Sequence, residues 1–133
     1  MKNLNNTIFF LIVLSFTTAC SSDDTTAPDA IVGEWITVQY FRGDREREVD
    51  FCSSKIVNIF RTDGSAPARW TTGETPPTGC ENLSLSSLQW EHVGDNQWEV
   101  GTGVLVKSIL SLQGNLLRME DVGSDRVFLL ERY

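Results

Sequence analysis

The residues that could carry chemistry are few: three cysteines, Cys20, Cys52 and Cys80, and one histidine, His92. Two thiols could form a redox pair or bind a metal, but no Cys-x-x-Cys spacing and no second soft ligand accompany them. A Ser-His-Asp triad would need an activated serine, and the chain contains no Gly-x-Ser-x-Gly segment. The acidic residues follow no calcium-loop pattern, and no pair stands out for glycoside chemistry. We therefore expect no enzymatic activity, no metal and no other cofactor.

Cys20 follows a segment with the features of a secretory signal peptide. Lys2 supplies a positive charge, and residues 8–16 form an apolar run far shorter than the about 20 residues of a membrane-spanning helix. The small residues at 17–19, directly before the cysteine, resemble the lipobox of bacterial lipoproteins, although Thr17 stands where leucine is usual. The resemblance implies cleavage of residues 1–19, a signal-peptide helix, and acylation of Cys20. The alternative is an ordinary signal peptide followed by an incidental cysteine.

The other two cysteines are predicted to form a disulfide. An odd thiol in an exported protein needs an explanation, and acylation of Cys20 leaves Cys52 and Cys80 free to pair in an oxidising compartment. The loop between them is about 28 residues long, so the bond would stabilise the fold by roughly 3–4 kcal/mol.

Charge narrows the range of partners. The net charge is −7, and removal of residues 1–19, whose only charged residue is Lys2, makes it −8. This charge argues against nucleic acid and against attraction to anionic headgroups, so membrane attachment must come from acyl chains on Cys20. Ser21 resembles the signal for delivery to the outer membrane, and the Ser-Asp-Asp at 22–24 resembles tags for export to the cell surface.

The composition changes after residue 31. Residues 20–31 are polar, acidic and contain proline, which predicts a flexible tether. From residue 32 onward, short apolar runs alternate with turn residues such as Asp63-Gly64. This pattern predicts an all-β domain, either a sandwich or an up-and-down barrel. The eight predicted strands are 33–41, 55–61, 66–72, 87–92, 96–102, 104–112, 115–121 and 125–132.

The order of short motifs along residues 32–133 resembles short lipocalin-like domains of bacterial surface lipoproteins. The resemblance implies eight antiparallel strands in an up-and-down barrel around a central cavity. It rests on Gly33-Glu34-Trp35, Phe51-Cys52, Lys55 to Phe60, Asp63-Gly64, Cys80, Trp90 and Trp98 around a Gly-Asp-Asn turn, Ile109 to Leu112, Asn115 to Leu117, and the closing Glu131-Arg132-Tyr133.

The resemblance also implies how one end of the barrel is closed. The tryptophan of the Gly33-x-Trp35 motif would plug this end, and a basic residue of the last strand, Arg132, would pack over its ring. Such a cation–π contact is worth about 0.5–2 kcal/mol. Arg118 and Arg126 compete with Arg132 for this position.

The first strand does not alternate cleanly between apolar and polar residues. Ile36, Val38 and Tyr40 are apolar on one face, whereas Trp35 and Phe41 are apolar on the other. Either both faces are partly covered, or a bulge changes which side chains face inward.

The function that these features favour is binding of a small apolar or amphipathic molecule inside the barrel. Core packing is the competing role for each tryptophan. The alternative function is that of a filled barrel whose loops 42–54 and 73–83 contact a surface protein, as an inhibitor, adhesin or accessory subunit. The candidate ligand-binding residues are Trp70, Trp90, Trp98, Gln39, Tyr40 and Arg118.

Overall fold

A computed structural model describes residues 27–133, so the predicted signal peptide with its predicted helix, Cys20 and most of the predicted tether lie outside the described residues. A single 3₁₀ turn, Ser53–Lys55, accompanies the strands. No helix in the described part of the chain is long and apolar enough to cross a membrane. The strands are β1 (Gly33–Arg42), β2 (Arg45–Arg47), β3 (Ile56–Phe60), β4 (Ser65–Ala66), β5 (Ala68–Trp70), β6 (Leu88–Gly94), β7 (Gln97–Thr102), β8 (Leu105–Gln113), β9 (Leu116–Asp121) and β10 (Arg126–Arg132).

The strands form one antiparallel sheet that is curled into a nearly closed barrel. Its order is β4-β6-β7-β8-β9-β10-β1-β3-β5, and β2 pairs only with β1. The two ends of this order, β4 and β5, are separated in the chain only by Pro67. The predicted all-β antiparallel barrel is therefore confirmed, and the sandwich alternative is wrong. Among the described residues the barrel order contains nine strands, one more than the predicted eight.

Pro67 explains why one predicted strand, 66–72, is two short strands in the structure. β4 pairs with β6 on one side, whereas β5 pairs with β3 on the other. Proline has no N–H to donate to a ladder, so the strand can change neighbours at this residue without losing a hydrogen bond. The carbonyl of Pro67 still accepts a 2.9 Å hydrogen bond from the Ile59 N–H. Through this change of partner, the chain joins the two end strands of the sheet, β4 and β5, and the barrel is nearly closed.

A β-bulge accounts for the irregular pattern of β1. The pairing of β1 with β10 shifts between Thr37 and Gln39, which leaves Val38 as the extra residue. Trp35 before the bulge and Tyr40 after it both face the barrel interior, although they are five positions apart, an odd number that would place them on opposite faces of a regular strand. Of the two alternatives for this strand, the bulge is confirmed.

Buried apolar side chains fill the half of the barrel in which β1 begins. Trp35 and Trp98 are the largest fully buried residues, and each must find an acceptor for its indole N–H. The core cluster consists of Ile31, Trp35, Phe60, Ala66, Trp98, Val100, Leu110, Leu117 and Leu130.

The segment just before β1 belongs to the barrel, which differs from the predicted tether of residues 20–31. Ile31 is fully buried, its carbonyl accepts a 2.8 Å hydrogen bond from Trp35 Nε1, and the carbonyl of Pro28 accepts one of 2.7 Å from Trp98 Nε1. The buried indoles thus hold residues 28–31 against the core. Composition predicted a solvated linker because the segment has only one large apolar side chain, that of Ile31. Its other contacts with the core are made by backbone carbonyls, which composition does not reveal.

The predicted disulfide between Cys52 and Cys80 is present, with the two Cα atoms 5.6 Å apart. It joins the loop before β3 to the loop between β5 and β6. These loops are the regions that were predicted to form the rim.

Candidate functional site: the two ends of the barrel

One end of the barrel is sealed by Arg132 and Trp35. The guanidinium carbon of Arg132 lies 4.1 Å from the centroid of the Trp35 ring, and its Nη atoms donate to the carbonyls of Val32 and Ala30, the latter at 2.8 Å. Gly33 makes room for this arrangement: its φ is +137°, and a Cβ there would lie 2.2 Å from Arg132 Nη1. A shallow depression of about 480 Å³ lies outside this seal.

The two other arginines that were considered for this position have different partners. Arg118 forms a 2.6 Å ion pair with Glu120, and Arg126 forms a 2.8 Å ion pair with Asp121 at the opposite end of the barrel. Of the three, Arg132 is the one over the Trp35 ring.

The opposite end of the barrel carries partly buried aromatic side chains that face inward, and we call it the open end because these side chains remain partly exposed to solvent. The rings of Tyr40 and Phe128 stack with centroids 5.0 Å apart and an interplanar angle of 15°. Phe128 is paired across strands with Met119, and both pack against the edge of the core. Tyr40, Phe128 and Met119 all remain partly accessible to solvent. They form an apolar lining above the filled half.

A short polar chain lies on the same inward face. Ser108 is buried and is paired across strands with Asp121, to which its hydroxyl donates a 3.0 Å hydrogen bond. The second oxygen of Asp121 lies 2.8 Å from Nη2 of Arg126. A hydroxyl, a carboxylate and a guanidinium are therefore held next to the aromatic lining. They can orient the polar end of an amphipathic molecule.

The predicted aromatic candidates are divided between the two ends. Trp98 is fully buried in the core, and Trp90 is partly buried beside it, with its indole N–H donating to the Arg61 carbonyl at 2.9 Å near the closed end. Tyr40 and Trp70 lie at the open end, where β1 and β5 finish. Trp70 is almost completely buried. Of the four, Tyr40 and Trp90 remain partly exposed, and Trp90 lines a pocket of about 130 Å³ beside the hairpin between β7 and β8.

The predicted polar candidates Gln39 and Arg118 lie on the outer face of the barrel. Both are paired across strands with Leu129, the neighbour of a core residue in β10, so their side chains point away from the interior. Gln39 donates a 3.3 Å hydrogen bond to Glu46, and Arg118 pairs with Glu120. The structure therefore does not bring these two residues together with Tyr40 inside the barrel.

His92 faces the interior next to Trp98, with the ring centroids 5.4 Å apart. Its Nε2 atom is buried and has no hydrogen-bond partner among the described residues. No serine or carboxylate is therefore hydrogen-bonded to this atom. Within residues 27–133, no group of three or more histidine, cysteine, aspartate or glutamate side chains is arranged to hold a metal ion.

The rim loops at the open end are ordered by local hydrogen bonds and by the disulfide. Within the loop 42–54, Arg45–Arg47 form the short strand β2, which pairs with β1. Asp50 accepts a 2.9 Å hydrogen bond from the Ser53 N–H. Hydrogen bonds from the Ser53 side chain and backbone lower the pKa of Asp50 below its ordinary value. Phe51 and Leu83, one in each loop, are exposed.

No protein-family model, curated protein or solved structure matches the chain. The fold and the side chains of the barrel are thus the grounds on which a function can be assigned. Sequence reasoning missed Phe128, Met119, Ser108, Asp121 and Arg126 as site residues. A period-2 pattern along β8, β9 and β10 was the available signal, because it places these side chains on alternating positions.

Proposed function

We propose that the protein is a membrane-anchored, lipocalin-like lipoprotein that binds a small apolar or amphipathic molecule at its open end and catalyses no reaction. The observation that carries the proposal is the difference between the two ends. Trp35 and Arg132 seal one end. At the other, the stacked Tyr40–Phe128 pair remains partly accessible beside the polar chain that ends at Arg126.

The energetics favour a ligand with both apolar and polar parts. Covering about 200 Å² of apolar surface would contribute roughly 5 kcal/mol, and much of this is offset by the cost of association. Apolar burial alone therefore gives weak binding. A polar group that meets Asp121 or Arg126 would add the orientation and affinity that a specific ligand requires.

The proposed anchor and location follow from the N-terminal sequence. Acylation of Cys20 would hold the protein at the outer membrane, with display at the cell surface as the further expectation. The described chain enters the barrel at the closed end, where Trp98 and Trp35 bind the carbonyls of Pro28 and Ile31. The open end would then face away from the membrane, so a ligand would arrive from the aqueous side.

Native mass spectrometry of residues 21–133, purified under oxidising conditions, tests the proposal. We expect an added mass that is lost on denaturation, and binding of the neutral fluorescent probe N-phenyl-1-naphthylamine. Phe128→Ala should weaken probe binding about tenfold, the equivalent of about 1.4 kcal/mol. The matched control is Phe51→Ala, because Phe51 is exposed on a rim loop and should leave probe binding unchanged. The bare mass together with equal probe binding by both variants would contradict the proposal.

A second function is favoured by the rim loops. The disulfide joins loops 42–54 and 73–83, and Phe51 and Leu83 are 58% and 48% exposed on them. This constrained apolar rim would suit an inhibitor, adhesin or accessory subunit that contacts a surface protein. Phe51→Ala should then abolish capture of that partner, whereas Phe128→Ala should not.

A further inference from the structure

The hairpin between β7 and β8 exposes three consecutive apolar side chains. Val104, Leu105 and Val106 are 97%, 66% and 37% exposed. Val122 is also exposed, and its N–H bonds to the carbonyl of Lys107 in the first part of β8. Single exposed apolar residues are ordinary, but a contiguous patch indicates an interaction surface. This patch belongs neither to the aromatic lining of the open end nor to the two disulfide-linked loops.

The hairpin is fixed in place over the outer face of β7. A Cβ at residue 101 would lie 1.9 Å from the carbonyl oxygen of Leu105, so only glycine allows β8 to approach this closely. The pairing of β7 with β8 shifts at this point, because Val100 pairs with Ser108 and Gly101 pairs with Val106. Lys107 is therefore the extra residue of a bulge that bends the strand. The apolar tip is thus held by the sheet and not by a loose loop.

The bent hairpin forms one wall of a pocket of about 130 Å³. Glu91 and Glu99 also line this pocket, and they are directly paired across β6 and β7. Like charges in this position destabilise a sheet. No ion pair among residues 27–133 includes either of them. The pocket therefore combines apolar side chains with two acidic groups that form no ion pair among the described residues.

We propose that this surface binds an extended apolar segment of a partner protein that carries lysine or arginine. The apolar residues of the segment would cover Leu105 and Val106, and its cationic group would lie between Glu91 and Glu99. Charge complementarity selects this occupant. An anionic lipid surface and a second copy of this chain, whose net charge is −7, would both be repelled.

The position of the hairpin favours a protein, and not the membrane, as the partner of this surface. β7 begins beside Pro28, to which Trp98 is hydrogen-bonded, and runs to the open end. The hairpin therefore lies at the end of the barrel opposite the segment through which the chain continues to its N-terminus. Trp90, a sequence-predicted ligand-binding candidate, lines this pocket. The surface uses neither the Tyr40–Phe128 pair nor the polar chain that ends at Arg126, so the two proposals can fail separately.

The test is titration of the ¹⁵N-labelled protein with a short peptide of alternating leucine and lysine, followed by amide chemical shifts. We expect the shifts to cluster on residues 89–106. The double variant Glu91→Gln/Glu99→Gln should weaken binding about fivefold, the equivalent of roughly 1 kcal/mol. Because these changes remove a repulsion, they should not impair folding. Leu105→Ser should also weaken binding, whereas Glu74→Gln, at an exposed acid outside the pocket, should leave it unchanged.

Four outcomes would overturn the proposal. These are equal binding of a leucine–glutamate peptide, shifts centred outside residues 89–106, attachment to phosphatidylglycerol vesicles in preference to the peptide, and a dimer in sedimentation that Leu105→Ser dissociates. Phe128→Ala should not change peptide binding, which separates this result from that of the proposed ligand site.

Discussion

The closed end of the barrel predicts that Gly33→Ala destabilises the protein, and that up to about half of this cost depends on Arg132. At φ +137° an alanine is strained whatever its surroundings, which costs about 1–3 kcal/mol. Its Cβ would also lie 2.2 Å from Arg132 Nη1, so the guanidinium must leave its position.

The displacement of Arg132 has its own cost. The cation–π contact with Trp35 is worth about 0.5–2 kcal/mol, and the hydrogen bonds to Ala30 and Val32 add about 1 kcal/mol at a partly solvated site. Since Arg132 is exposed, we take the lower part of these ranges and expect about 1–2 kcal/mol. Gly33→Ala should therefore cost about 3–4 kcal/mol in the parent protein, but only about 2 kcal/mol when Arg132 is already alanine.

Urea unfolding of the four oxidised proteins, followed by tryptophan fluorescence, measures this double-mutant cycle. Matching m-values are required, so that free energies of unfolding can be compared. A coupling energy of about 1–2 kcal/mol is expected. If Gly33→Ala costs the same in both backgrounds to within about 0.5 kcal/mol, then Arg132 does not occupy the space above Gly33, and the proposed seal is wrong.

Three further predictions concern other parts of the barrel. Replacing Cys52 and Cys80 by alanine should lower the free energy of unfolding by about 3–4 kcal/mol, seen as a lower urea midpoint that reduction of the parent reproduces. Asp50→Asn should lower Tm at about pH 7 but hardly at about pH 2. The reason is that a carboxylate with a depressed pKa stabilises the fold above its unfolded pKa and loses this effect as the pH falls through its folded pKa. A difference in Tm between the two proteins that does not change with pH would contradict this. Glu99→Lys should raise the free energy of unfolding by about 0.5–1 kcal/mol, since a cation would then face Glu91, and unchanged stability in low salt would contradict it.

The strands were predictable because each is a short apolar run between turn residues. The sequence also held the signal for the closed end, where the Gly-x-Trp motif and a basic residue in the last strand come together as expected. The division of one predicted strand at Pro67 was less accessible, because its two halves pair with strands that are distant in sequence. A proline indicates where a hydrogen-bonded ladder between strands is interrupted, but it does not indicate which strand the following residues pair with.

The interior of the open end was harder to predict, for reasons that lie in β1 and β10. A one-residue bulge at Val38 decides that Tyr40 faces inward and Gln39 outward, and no local motif marks that residue. Phe128 can be identified as a site residue only when β10 is known to pair with β1, because its ring stacks on Tyr40 of that strand. In a sheet with period 2, a register that is uncertain by one residue exchanges the lining of the barrel for its surface.

Because residues 28–31 belong to the barrel, the proposed tether can include at most residues 20–27, which bears on the end of the barrel that would face the membrane. With Ile31 in the core, the chain between Cys20 and Ala27 can span at most about 25 Å. β1, Gly33–Arg42, rises about 33 Å and, at the tilt of barrel strands, separates the two ends by about 25 Å. If Cys20 carries the proposed lipid, applying the open end to the membrane would require a fully extended tether, at an entropic cost of about 1 kcal/mol per residue. Holding the closed end near the membrane has no such cost, so both proposed binding surfaces would face outward.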